Sequence, residues 1–166
     1  MHKVGDLIIY KTHGICQVDA ICEKTVLGVS RNYYVMHPVE DPKLTISVPV
    51  DKDNVLLQDI VDRGEAEKIL ECFKQPGMEW IEKNNVRMQK FNEIIRTGDR
   101  IEIAKIANTL MRKKREQEAN GKKFSEQDSR MLNLTQKILF KELAIALNTS
   151  FDVIQDRVEH LIEATS

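Results

Sequence analysis

The sequence predicts an α+β protein: a small N-terminal β-barrel of SH3 or Tudor size, followed by a compact five-helix domain. Three observations carry this. The 166 residues are 42% hydrophobic and 31% charged, enough for packed cores and too apolar for a disordered chain. Residues 1–61 alternate with the period of strands and meet a turn residue every few positions. From Asp62 onward the apolar period becomes helical. The domains expected are therefore 1–62 and 63–166.

Leu7-Ile8-Ile9-Tyr10 is a short apolar strand closed by His13-Gly14. Ile15 to Cys22 alternates, Tyr33-Tyr34-Val35-Met36 ends at Pro38, and Leu44-Thr45-Ile46-Ser47-Val48 stops at Pro49. Sixty residues cannot enclose a ligand cavity as well as a core, so this half should bind through its surface. In the second half, Asp62-Arg63-Gly64-Glu65 has the form of a capping box ahead of Ala66, Ile69, Leu70 and Phe73. A second helical pattern runs from Trp80 through Ile81, Met88, Phe91, Ile94 and Ile95 to Thr97-Gly98. Asp99 should cap the third helix, which carries Ile103, Ile106, Ala107 and Leu110 on one face. Ser125-Glu126-Gln127-Asp128 and Thr149-Ser150-Phe151-Asp152 are two further caps, opening the fourth and fifth helices.

The formal net charge of −1 hides a segregation. Residues 83–123 hold 12 basic and 5 acidic side chains, a net of +7, while residues 1–64 and 124–166 carry −2 and −3. At 100° per residue, Lys105, Arg112 and Arg115 fall opposite the apolar face of the third helix, with Lys113 beside them. Such a face is either solvated or a phosphate-contacting surface, which gains affinity by releasing condensed counterions. Arg87 and Lys90 belong to the same basic segment. Trp80, the one tryptophan, either fills the core or stacks on an unpaired base or between base steps. Its neighbours Glu79 and Glu82 oppose phosphate contact.

Several function classes find no support. No stretch approaches the roughly 18–20 apolar residues of a membrane span. The N-terminus lacks the apolar region of a signal peptide, and Cys16, Cys22 and Cys72 form no CxxC pair. A cytoplasmic protein is expected. His13 and Cys16 have an H-x-x-C spacing, but no fourth ligand follows at zinc-site distance. No phosphate loop, dinucleotide fingerprint, zinc-protease or serine-nucleophile motif is present. Neither enzyme activity, metal nor cofactor is expected.

Lys3-Val4-Gly5-Asp6, Ile9-Tyr10-Lys11-Thr12-His13-Gly14, Tyr33-Tyr34-Val35, Leu44–Pro49, Thr97-Gly98-Asp99, Leu110–Lys114, Phe124–Glu126, Met131-Leu132 and Glu142–Ala144 occur in an order that resembles the CarD/CdnL bacterial transcription regulators. The resemblance spans nearly the whole chain. It implies a Tudor-like N-terminal domain, shared with the transcription-repair coupling factor, that docks on the RNA polymerase β subunit. The docking residues would be Lys24 and the edge strand Leu44, Thr45, Ile46, Ser47 and Val48, pairing by β-augmentation. Ser47 stands where relatives often carry a basic residue. The helical domain would contact promoter DNA at the upstream edge of the transcription bubble, without sequence preference, and stabilise the open complex. Its DNA residues would be Trp80, Arg87, Lys90, Lys105, Arg112, Lys113 and Arg115. Trp80 lies about one helical turn further from Thr97-Gly98 than the family tryptophan, whose position falls nearer Asn84 or Asn85. A monomer is expected. The alternative is a protein-only adaptor with no DNA contact.

Overall fold

A computed structural model describes residues 2–51 and 56–166. The chain divides into two compact units, Met1–Ile60 and Val61–Ser166.

The first unit is one antiparallel sheet of five strands: β1 (Leu7–Tyr10), β2 (Gly14–Val26), β3 (Val29–Pro38), β4 (Ile46–Pro49) and β5 (Leu57–Asp59), in the order β4-β3-β2-β1-β5. Among the described residues the expected barrel does not close. The two ends of the sheet are short strands, four and three residues long, and among the described residues they pair only inward, with β3 and β1. One face buries Ile8, Cys16, Val18, Tyr34, Met36 and Val48. A bulge between Val18 and Ala20 shifts the register with β3 and breaks the alternation along β2. Cys16 and Val18 face the core before it, whereas Ile21, opposite Tyr34, takes that face after it.

The second unit holds five helices: α1 (Arg63–Glu71), α2 (Asn84–Thr97), α3 (Arg100–Ala119), α4 (Glu126–Ala146) and α5 (Phe151–Ala164). The capping box forms as a reciprocal pair: Asp62 accepts from the Glu65 N–H, and the Glu65 carboxylate accepts from the Asp62 N–H. Asp99 caps α3 and Ser125 caps α4. The cap of α5 is Ser150, one residue beyond the expected Thr149. Gly98, at φ 71°, closes α2 in the left-handed conformation that residues with a side chain rarely adopt.

Two corrections bear on function. The helix expected to begin at Trp80 begins at Asn84, so Trp80 sits in a non-helical segment. And α3, expected to show an apolar inner and a cationic outer face, is central: every position from Ile103 to Met111 except Lys105 is buried. The 3-10 turn Cys72–Lys74 and helices α1, α2 and α4 all pack on it. At the start of the unit, buried Glu142 accepts from the Val61 N–H at 2.9 Å and from Arg100 Nε at 3.2 Å. Val61 therefore belongs with the helices. Among the described residues no buried side-chain polar atom lacks a partner, and no helix is long and apolar enough to cross a membrane.

Candidate functional site

In the sheet unit, β4 is an edge strand, with only β3 beside it among the described residues. Its bounds exclude Leu44 and Thr45, which lie in the approach, and include Ile46, Ser47 and Val48. The Val50 N–H donates to the Asn32 carbonyl at 2.9 Å, and the register pairs Val48 with Tyr34 and Ser47 with Val35. Hydrogen-bonded pairs alternate along an antiparallel ladder, so residues 46, 48 and 50 turn their main chain toward β3 and Ser47 turns its own outward. Val48 is buried and Ser47 exposed, consistent with opposite sides of the pleat. Pro49 limits the strand's pairing capacity, since it has no N–H to donate.

Lys24, from β2, reaches across β3: its ammonium donates to Ser47 Oγ at 2.7 Å and lies 5.8 Å from the centre of the Tyr33 ring. The expected docking residues Lys24 and Ser47 thus form one surface, with Tyr33 added. Alternation places Tyr33 on the outer face with Cys22, since its neighbour Tyr34 faces the core. The Cys16 thiol is buried in the sheet core, which pushes its pKa up, while the His13 ring stacks on Tyr10 at 5.6 Å.

In the helical unit, the segment bearing Trp80 is pinned on both sides. Asn108 Nδ2 donates to the carbonyls of Cys72 and Gln75, and Thr109 Oγ1 accepts from the Met78 N–H at 2.8 Å. Gly77 approaches α3 so closely that a Cβ would lie 3.0 Å from Thr109 Cα. Downstream, Arg87 is 2% exposed. Its Nε and Nη2 donate to the two oxygens of Asp128 at 3.0 and 2.8 Å, and Nη2 also donates to Asn84 Oδ1. Its Nη1 donates to the carbonyls of Ile81 and Glu82. These contacts match the five donors of a guanidinium, and Ser125 Oγ donates to Asp128 at 2.7 Å to complete the cluster.

Trp80 is half-buried against the helical core. The Arg87 Cζ lies 4.2 Å and the Lys113 Nζ 5.1 Å from its ring centre, both within cation–π reach. The cations that the local sequence withholds from this tryptophan arrive from α2 and α3. Trp80 is therefore neither a fully exposed wedge nor a fully buried core residue.

The expected DNA residues separate into three groups. Arg87 and Arg112 are committed inward, contrary to the expectation of surface contact. Arg112 Nε donates to Asn108 Oδ1 at 2.9 Å, and Nη2 donates to the Phe73 carbonyl and to Thr165 Oγ1. Burial, then nearby Arg115, lowers its pKa. The reason is the central position of α3, whose supposed outer face meets the 3-10 turn and the end of α5. Lys105 and Arg115 are exposed but ion-paired, with Glu102 at 2.9 Å and Glu163 at 3.5 Å. Lys113 reaches both Trp80 and Glu116, at 3.6 Å from the latter.

Lys90 is exposed without a side-chain partner among the described residues, and so are Lys83 and Lys114, which the sequence alone does not single out as contact residues. Lys83 and Lys90 are seven residues apart and fall on one side of α2 and its N-cap. Proximity to Trp80, three residues before Lys83, is the signal that could have found the first of them.

Two comparisons with known proteins accord with this arrangement. Residues 2–61 match the family described as CarD-like/TRCF RID domain, and residues 68–159 match CarD, C-terminal domain. A chain with both is a transcription-associated protein whose N-terminal domain interacts with RNA polymerase. It is also 27% identical over 158 residues to a Bacillus subtilis (strain 168) protein described as "Putative transcription factor YdeB", covering 87% of this chain and 92% of that protein. The chain belongs to the CarD-like family.

Proposed function

We propose that this protein docks on the RNA polymerase β subunit through β4 and holds its helical unit against promoter DNA at the upstream edge of the bubble, stabilising the open complex. The observation that carries the reading is the β4 edge. Ser47 turns its main chain outward, and Lys24 and Tyr33 sit beside it, so the strand offers hydrogen bonds to a partner strand next to a cation that can favour an acidic neighbour.

For DNA, Trp80 with Lys113 beside its ring supplies a surface for stacking, and the exposed Lys83, Lys90 and Lys114 supply cations for phosphate. Arg87 and Arg112 shape this surface from within. A tethered module acts at a raised local concentration, so a contact too weak to find DNA alone becomes effective. Stabilisation of the open state requires tighter binding to melted than to closed promoter, and an unpaired base stacking near Trp80 gives that difference. No set of side chains for reading base edges is apparent among the described residues, so position comes from the polymerase.

Footprinting of a polymerase–promoter complex with and without the protein tests the reading. New protection at the upstream bubble edge, with a longer-lived open complex, is expected. Polymerase binding with no change in that footprint would leave the protein-only adaptor.

A further inference from the structure

Beyond Asn32, whose carbonyl accepts from the Val50 N–H just past β4, the strands β2 and β3 leave the rest of the sheet. The last residue of β3 that pairs with β4 is Tyr33, and β1 covers β2 only from Gly14 to Gln17. The pairs Lys24–Arg31, Thr25–Ser30 and Val26–Val29 therefore form a two-stranded ribbon, all six residues exposed. At about 3.3 Å per residue it projects roughly 10 Å.

Its tip is apolar: Leu27 is 99% exposed, and Val26 and Val29 are each 52% exposed. The turn has positive φ at both central residues, 51° at Leu27 and 78° at Gly28. Such a turn suits Asn-Gly, and leucine is a poor occupant of its first position. Leu27 thus carries backbone strain and full hydration together, and nothing within this unit gains from either. A few residues below the tip, Lys24 and Arg31 stand directly opposite each other, a like-charge pair that weakens a ribbon. Arg31 has no partner among the described residues. An acidic surface would relieve that repulsion.

We propose that this tip is a knob that enters an apolar, acid-rimmed pocket on the same polymerase surface that pairs with β4. The proposal rests on the docking reading above, because Lys24 joins the two: it stands on the ribbon and hydrogen-bonds Ser47 of the docking strand. A partner paired with β4 is thereby brought alongside the ribbon. The knob adds apolar burial to an interface otherwise made of main-chain hydrogen bonds.

The test is a titration of RNA polymerase with the full-length protein and its Leu27→Asn variant. The substitution creates the favoured turn pair, so thermal stability should hold or rise while the knob is lost. Binding should weaken roughly ten- to hundredfold, the burial of one leucine side chain expressed as an affinity ratio. Arg31→Gln should make binding less sensitive to salt. Unchanged affinity in Leu27→Asn, with wild-type binding intact, overturns the knob and leaves the β4 reading standing. No binding by the wild-type protein overturns both. Self-association that disappears in Leu27→Asn, at constant polymerase affinity, would assign the tip to a second copy and also overturn the proposal.

Discussion

The two units treat the groups that could make contacts in opposite ways. The sheet unit leaves them out: an edge strand with outward main chain at Ser47, a cation resting on Tyr33, and a ribbon ending in bare leucine and valine. The helical unit takes many in. Arg87 gives its donors to Asp128, Asn84 and two carbonyls, Arg112 is bonded to Asn108, Phe73 and Thr165, and Arg100 pairs with buried Glu142. In a helix bundle, then, a basic residue is a surface contact only after its donors have been traced. At a sheet edge, the backbone itself is the contact.

The largest expected effect tests that inward commitment. Asp128→Ala leaves the Arg87 guanidinium buried with its main acceptor gone. Removing one partner of a buried pair should cost about 3–5 kcal/mol, measured by denaturant unfolding of the full chain. Polymerase binding through the sheet should persist under conditions where the variant is folded.

Trp80→Ala should come next. A half-buried ring beside two cations should cost about 1–2 kcal/mol, short of the roughly 3–5 kcal/mol of a core tryptophan. Its fluorescence, the chain's only tryptophan signal, should show intermediate quenching by a collisional quencher. Fully shielded emission would return Trp80 to the core, and fully open emission would make it a plain wedge.

A smaller effect separates the lysines. Lys83→Gln, Lys90→Gln and Lys114→Gln should each lower the salt slope of duplex binding by about 0.9 if they meet phosphate. Arg112→Gln should instead lower stability and leave the slope near its parent value. An equal slope change in Arg112→Gln would restore the reading of α3 as a cationic outer face.

The smallest concerns Glu67, whose carboxylate accepts from Arg157 at 2.6 Å, a bond that lowers its pKa. The group is ionised and stabilising above the ordinary carboxylate pKa. That contribution fades as pH falls through the lowered folded value. Both side chains are nearly half exposed, so the loss in acid should be under about 1 kcal/mol and absent in Glu67→Gln.

Much of this architecture was legible along the chain because its causes are local. The capping box at Asp62, the caps at Asp99 and Ser125, and the stop at Gly98 each need only three or four neighbouring residues. The edge at Ile46–Pro49 was legible from alternation and the closing proline, though it starts two residues later and ends one residue later than expected. What escaped depends on partners distant in sequence. Asp128 reads as a helix-cap residue, and only the fold brings it to Arg87, 41 residues earlier. The start of α2 moved from Trp80 to Asn84 because Arg87 holds the carbonyls of Ile81 and Glu82 outside the helix. Open sheet and closed barrel share one strand pattern, since closure depends on which ends meet. The β2 bulge, which falls within an unbroken alternation, gave no sign in the sequence.

The central claim is that β4 anchors the protein to polymerase and thereby places the helical unit on DNA. The direct test is an upstream-edge footprint on a polymerase–promoter complex with the wild-type protein and with Ser47→Pro. Proline at this position removes an outward N–H and no bond to β3, so the sheet should remain folded. Protection by the wild-type protein should disappear in Ser47→Pro, with folding and duplex affinity of the free protein unchanged. Protection that survives in the folded variant would contradict the claim.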